Sequence, residues 1–287
     1  ARAAGEETQA RLNLPTRSFD ATYRMTVHPC DGAGAAAGLT VISLADIGHI
    51  EEAEQIRRDF VANMSHELRS PLTVLTGFIE TLKGPARNDA EARARFLAIM
   101  EGEAQRMNRL IGDLLQLSRV EANQRVRPRD PVDLAEVVRT TLTALRPQLE
   151  GRGIAAAFTA PDGPLTVPGD RDQLIQVFHN LVENAIKYGS ASGSVRVTAR
   201  IEPQMVGMAG PVVAIEVADR GEGIDPVHLP RLTERFYRVD SHRSRAMGGT
   251  GLGLAIVKHI VQRHRGRLAI RSARGEGSSF TVFLPQV

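Results

Sequence analysis

Residues 60–72 read Phe60-Val61-Ala62-Asn63-Met64-Ser65-His66-Glu67-Leu68-Arg69-Ser70-Pro71-Leu72. Phe60, Met64, Leu68 and Leu72 recur every four residues, the step that keeps side chains on one helix face. The pattern extends outward from Ile56 through Leu75 and Ile79 to Leu82, and Lys83-Gly84-Pro85 ends it. A second stretch repeats the period through Phe96, Met100, Met107, Leu110, Leu114, Leu117 and Val120, with Asn88 or Asp89 placed to cap its start. The expectation is an all-α helical hairpin whose first helix, about 33 residues, is about 50 Å long. Two such helices enclose no core alone. A homodimeric four-helix bundle buries both seams economically, although a passive coiled-coil spacer has the same pattern. With leucines turned inward, His66 lies on or near the exposed side beside Glu67, and Pro71 should bend the helix just past it. A neutral imidazole is a nucleophile, and a neighbouring carboxylate can orient it and take its proton. A solvated His next to a solvated Glu would read the same.

Texture changes on either side of the hairpin. Arg127-Pro128 and Asp130-Pro131 read as a linker. After it come a helix at 134–149, strands near 154–158 and 165–168, a strong helix at 170–188 and strands at 194–201 and 212–218. A Gly-rich loop, a helix at about 251–265 and strands at 267–272 and 279–284 complete the order, which suggests an α/β sandwich. Before the hairpin, strand-like runs at 18–27 and 38–44 flank a Gly/Ala loop. A lone β-hairpin is marginal in water, so this segment is expected to belong to a domain that begins upstream.

The chain has 287 residues, 42% hydrophobic and 24% charged, which suits about two globular domains and excludes wholesale disorder or a fibre. Its longest near-apolar stretch, about 33–45, falls short of the roughly 18–20 residues that span a bilayer. Cys30 stands alone, so neither an internal disulfide nor a Cys-based zinc site is available, which suits a reducing compartment. The net charge of +3 is spread without a polybasic block, so no direct nucleic-acid partner is indicated. The chain starts without Met and shows no signal-peptide pattern, as expected for a piece of something longer.

Three constellations in the C-terminal half could carry chemistry. In Asn180-Leu-Val-Glu-Asn184-Ala-Ile-Lys187-Tyr188, two amides and an ammonium share one helix face. Such a face suits a hydrated Mg²⁺ with attached phosphates, or is simply solvated. Asp219-Arg-Gly221-Glu-Gly223-Ile224 directly follows a strand. Its carboxylate could accept from an exocyclic amine such as adenine's, and Gly-x-Gly permits close backbone approach to a ligand. Gly248-Gly249-Thr250-Gly251-Leu252-Gly253-Leu254 opens a helix, where backbone N–H groups and the helix dipole make a phosphate cradle. It is neither a Walker A loop nor a Rossmann fingerprint. Gly275-Glu276-Gly277 is a weaker signal.

In this order the motifs resemble those of a two-component sensor histidine kinase, over about residues 50–287. Ser65 to Leu72 is similar to the phosphoacceptor box, Asn180 to Tyr188 to the N box, and Asp219-x-Gly221-x-Gly223 to the G1 box. Arg235-Phe236-Tyr237-Arg238 is similar to the F box and Gly249-Thr250-Gly251-Leu252-Gly253 to the G2 box. The runs 229–240 and 72–82 resemble the phosphate-regulon branch. The resemblance implies a HisKA dimerisation hairpin at 49–125 and a Bergerat-type (GHKL) α/β ATP-binding domain at 126–287. The first 48 residues are similar to the last two strands of a PAS sensor domain.

The resemblance also implies the roles. ATP and Mg²⁺ would be the cofactors, with Asp219 on the adenine amine, Asn184 on the metal with Asn180 nearby, Lys187 on phosphate and Tyr188 and Ile224 lining the pocket. Residues from about 225 to 249 would form a mobile lid, with Arg235 and Arg238 available to the γ-phosphate. His66 would attack that phosphate with Glu67 as base. The phosphoryl group would then pass to an Asp of a separate response regulator receiver domain. Relatives often have Thr or Asn where this chain has Ser70, so phosphatase activity is expected but weaker. The linker would act as a hinge, the protein would be a homodimer, and a missing N-terminal segment would anchor this cytoplasmic portion in a bacterial inner membrane. An inactive dimeric scaffold, a serine kinase and a GHKL ATPase without histidine phosphorylation are the alternatives. The last usually places a carboxylate where this chain has Asn180.

Overall fold

In the computed structural model the residues described are 8–15, 20–29, 40–123, 126–189, 193–240 and 247–286. The chain divides into two compact units, Ala1–Ser70 and Pro71–Val287. The first holds an antiparallel sheet of β1 (Thr8–Pro15), β2 (Asp20–Pro29) and β3 (Thr40–Asp46), in the order β1-β2-β3. Two strands were expected here and three are present. β2 and β3 correspond to the expected runs, displaced by about two residues, while residues 16–19 and the loop 30–39 lie outside the described residues. β1 was missed because its alternation is short, carried by Ala10, Leu12 and Leu14 alone. Beyond β3, Ile47 is buried and its N–H donates to Thr22 O at 2.9 Å. Arg11 pairs with Glu51 at 2.6 Å, tying β1 to the start of α1 (Gly48–Lys83).

α1 contains Pro71, and the two units divide at the Ser70–Pro71 bond. In the second unit the hairpin is completed by α2 (Ala90–Ala122). Asp89 caps α2 by accepting from Ala92 N–H at 2.9 Å, and the Phe78 and Phe96 rings stack at 4.9 Å between centroids. Leu72, Val74, Ile79, Leu97, Ile99, Ile111 and Leu115 of the hairpin stay exposed.

The expected linker at 130–131 is instead a strand. β4 (Asp130–Asp133) pairs antiparallel with β6 (Thr166–Gly169), and Pro131 faces Pro168. Neither proline can donate to a ladder, which suits a two-stranded ribbon made only of edges. Asp133 then caps α3 (Leu134–Gly151) through Ala135 N–H. The main sheet runs β5-β7-β8-β10-β9, from β5 (Ala155–Thr159), β7 (Ser194–Glu202), β8 (Val212–Asp219), β9 (Arg267–Ala273) and β10 (Gly277–Pro285). Only β5 and β7 are parallel.

α4 (Arg171–Tyr188) and α5 (Gly253–Arg263) pack beside α3 over this sheet. Their apolar stripes, including Leu174, Phe178, Leu181, Ile186, Ile256 and Ile260, are fully buried against the sheet's Val197, Ile215 and Val282. Each such side chain contributes about 1.5–3 kcal/mol by leaving water. Val212, Ala214 and Phe283 pack with Met205 and Met208 in a separate cluster.

A buried histidine joins the ends of two helices. His264 Nε2 accepts from Asp170 N–H at 3.0 Å, and its Nδ1–H donates to Ile260 O at 2.8 Å. These bonds need the neutral ring, and burial pushes its pKa down from the ordinary histidine value. The unfolded chain therefore takes up a proton at a higher pH than the folded one. The stability this site supplies is complete above about pH 6.5 and is lost as pH falls below that value. The urea midpoint should drop between pH 8 and pH 5, and His264→Gln should lower it at pH 8 while flattening the slope. Parallel pH profiles for parent and variant would refute this role.

Candidate functional site

β8 delivers Asp219 to the rim of the sheet, and the side chain is buried there. Its Oδ1 accepts from Gly221 N–H at 2.8 Å, and Ser278 N–H also donates to the carboxylate. Burial nevertheless raises its pKa above the usual carboxylate range. The glycines after it were expected to let backbone approach a ligand. In the structure they also let neighbouring backbone come close. A Cβ on Gly221 would lie 2.3 Å from Tyr188 O, and one on Gly223, at φ 70°, would lie 1.9 Å from Ala273 O. Ile224 N–H donates to Ser272 Oγ at 2.8 Å, and Ser272 donates in turn to Gly277 O at 2.7 Å. The loop is thus stitched to the β9–β10 hairpin.

α4 runs alongside with the amides and ammonium read from its sequence. Asn180 Nδ2 donates to Gly253 O at 3.4 Å, so it touches the first turn of α5. Asn184 is half-buried one turn further on, and Lys187 Nζ meets Glu183 Oε1 at 3.0 Å. Tyr188 is exposed at the end of the helix.

Between β8 and α5, part of the expected lid is folded. Asp225 caps a 3₁₀ turn over Pro226–Arg231, His228 Nδ1 and Tyr237 Oη are 2.7 Å apart, and Arg231 lies over the Tyr237 ring. Residues 241–246 of that stretch lie outside the described residues. Phe236 sits at φ 64°, unusual for a residue with a side chain, and its N–H donates to Gly251 O at 2.9 Å. Arg238 Nη2 donates to Thr250 O at 2.7 Å. The arginine-bearing segment is therefore fastened to the glycine loop that opens α5.

α2 supplies residues that sequence reasoning missed. Thr250 Oγ1 donates to Asp113 Oδ2 at 2.6 Å, and Arg235 Nη2 meets Glu121 Oε1 at 2.6 Å. Burial raises the Asp113 pKa, and the nearby Glu183 carboxylate raises it further, against the lowering bond from Thr250. The only signal in the sequence was two carboxylates flanking the apolar stripe of Leu110, Leu114 and Leu117.

Asp219, Asn180, Asn184, Lys187, Arg235, Arg238 and the loop 248–253 all fall within the second unit. His66 and Ser70, both exposed, and half-buried Glu67 fall within the first. Among the described residues, no group of three or more His, Cys, Asp and Glu side chains could hold a metal ion, and no helix is long and apolar enough to cross a membrane.

Residues 56–123 match the family described as His Kinase A (phospho-acceptor) domain. Residues 169–287 match the histidine kinase-, DNA gyrase B-, and HSP90-like ATPases. The phosphate regulon sensor protein PhoR of Pseudomonas aeruginosa is 42% identical over 236 residues, covering 82% of this chain and 52% of its own length. The signal transduction histidine-protein kinase BaeS of Escherichia coli is 38% identical, covering 82% of this chain and 48% of its own. The chain spans about half the length of these curated relatives. The crystal structure of full-length ShkA in complex with AMPPNP aligns with a TM-score of 0.55 at 28% identity, over 79% of this chain and 45% of that one.

The backbone contacts around Asp219 make a stability prediction. Gly223→Ala should cost about 3 kcal/mol or more in urea unfolding, from positive φ and the clash with Ala273 together. Gly102→Ala, in α2 with nothing within 4 Å of the added Cβ, should be neutral or stabilise by up to about 1 kcal/mol. Equal effects of the two substitutions would contradict the packing described.

Proposed function

We propose a function from one premise: the chain belongs to the sensor histidine kinases of two-component systems. It would use ATP to phosphorylate His66 and pass the phosphoryl group to an Asp of a separate response regulator. The observation that carries this reading is an exposed histidine on a helix within the phospho-acceptor match, followed in the same chain by an ATPase-family domain whose sheet ends in a buried carboxylate.

The residues suit those roles chemically. Asp219 is acceptor-only when ionised and would take the adenine amine on the oxygen not bonded to Gly221. The backbone amides of 248–253 and the N-terminal end of α5 would face the phosphates, with Tyr188 and Ile224 at the pocket wall. Mg²⁺ fits the α4 face. The Asn180 amide nitrogen is spent on Gly253 O, which leaves its oxygen as the ligand atom, and Asn184 offers a second amide one turn away. The ion would neutralise phosphate charge. Lys187, Arg235 and Arg238 would add positive charge around the transferred group, and Glu67 would orient the His66 ring and take its proton. Most of the rate enhancement would come from positioning and charge.

The hairpin's exposed apolar side chains would be covered by a second copy, giving the homodimeric bundle. In the domain reading, 49–125 would dimerise and carry His66, 126–287 would bind ATP, and 1–48 would end a PAS-like sensor domain preceded by a membrane anchor. Ser70 would retain a hydroxyl for dephosphorylating the regulator. The phosphate-limitation signal rests on the identity with PhoR, in a region that does not itself read the signal.

Incubation with γ-labelled ATP and Mg²⁺ tests the reading. Label should be acid-labile, alkali-stable and absent from His66→Gln. Labelling of the variant at the parent's rate would remove His66 as acceptor.

A further inference from the structure

Charged and polar groups lie along the side of α2 that meets the glycine loop and α5. Arg109, Asp113, Gln116 and Glu121 share this side with buried Leu110, Leu117 and Val120. Asp113 accepts from the Thr250 hydroxyl and Glu121 from the Arg235 guanidinium, both at 2.6 Å, and Glu121 Oε1 also lies 3.4 Å from His259 Nε2. The Arg109 guanidinium rests against Gly248, where a Cβ would stand 3.0 Å from Nη2. Between the two carboxylates, the side chains of Gln116 and Gln176 are hydrogen-bonded. Past the end of α2, Arg263 donates to the carbonyls of Asn123 and Val126.

The groups held by α2 are those suited to an anion. Thr250 lies in a loop of glycines at a helix N-terminus, and Arg235 is a guanidinium whose side chain is only 21% exposed. A carboxylate offered to a hydroxyl or a guanidinium presents oxygens and negative charge as a phosphate does. We propose that Asp113 and Glu121 form an internal clasp that stands in for the nucleotide's phosphates, so that ATP and α2 compete for Thr250 and Arg235. The clasp rests on the reading of Thr250 and Arg235 as phosphate-binding groups. It holds the ATP-binding domain against α2 in the absence of nucleotide, and ATP binding releases it. The cost of breaking it is subtracted from the affinity for ATP.

Asp113→Asn and Glu121→Gln remove the charge and keep the shape. AMPPNP binding to the full chain, followed by calorimetry with Mg²⁺ present, should tighten by about three- to tenfold in each variant and further in the double variant. Unfolding midpoints without nucleotide should fall in the same variants, because the clasp is lost. Lower midpoints with unchanged Kd would overturn the clasp and leave the nucleotide reading intact, since the carboxylates would then be structural only. Weaker binding would overturn it too, and would place the carboxylates in the nucleotide site. Absence of binding in parent and variants alike would remove the nucleotide reading and the clasp with it.

Discussion

Asp219 ends β8 with its carboxylate buried and held by the amides of Gly221 and Ser278, and the surrounding backbone closes around it. A Cβ on Gly189 would stand 2.5 Å from Asp219 Cβ, and one on Gly277 would stand 2.2 Å from Asp219 O. The end of α4, the turn after β8 and the start of β10 therefore all converge on one residue. Burying a carboxylate is unfavourable unless its oxygens find partners, and here desolvation still outweighs the two amide bonds. A fold that tolerates such a group at the rim of its sheet departs from the rule that serves stability best, and departures of that kind collect at functional sites.

The long helices were legible because their apolar period is sustained over many turns, and the α4 motif because its polar residues fall on one face. Residues 130–133 were misread because two prolines nearby look like a linker, whereas two prolines opposite each other suit an isolated ribbon. The glycines at 221 and 223 were legible as positions of close approach, and in the structure backbone packs against each of them. A glycine reports that something approaches the backbone and not what does so. Asp113 and Glu121 were illegible for a different reason. Their partners, Thr250 and Arg235, are far along the chain, and only the meeting of α2 with α5 gives these carboxylates a role.

A kinase of this kind would divide its labour between the two units. The first presents a histidine, and the second would hold the phosphoryl donor. Chemistry that depends on positioning is governed by whatever restrains the donor domain. In this chain the restraint has a polar and specific part: the Thr250 hydroxyl, the Arg235 guanidinium and the Gln176 side chain meet Asp113, Glu121 and Gln116 on one side of α2. Apolar packing of Leu117 and Val120 alone would hold the domain without regard to ligand. Charged partners make the same contact sensitive to any anion that enters the glycine loop.

In the proposed kinase, Asp219 would be the group that recognises the base. Calorimetric titration of the full chain with ATP in Mg²⁺ should give saturable binding, and Asp219→Asn should weaken it by about tenfold or more, equivalent to about 1.4 kcal/mol, while leaving the far-ultraviolet circular dichroism unchanged. Binding by the folded variant with the parent's affinity would contradict the account, because the buried carboxylate would then serve the fold alone.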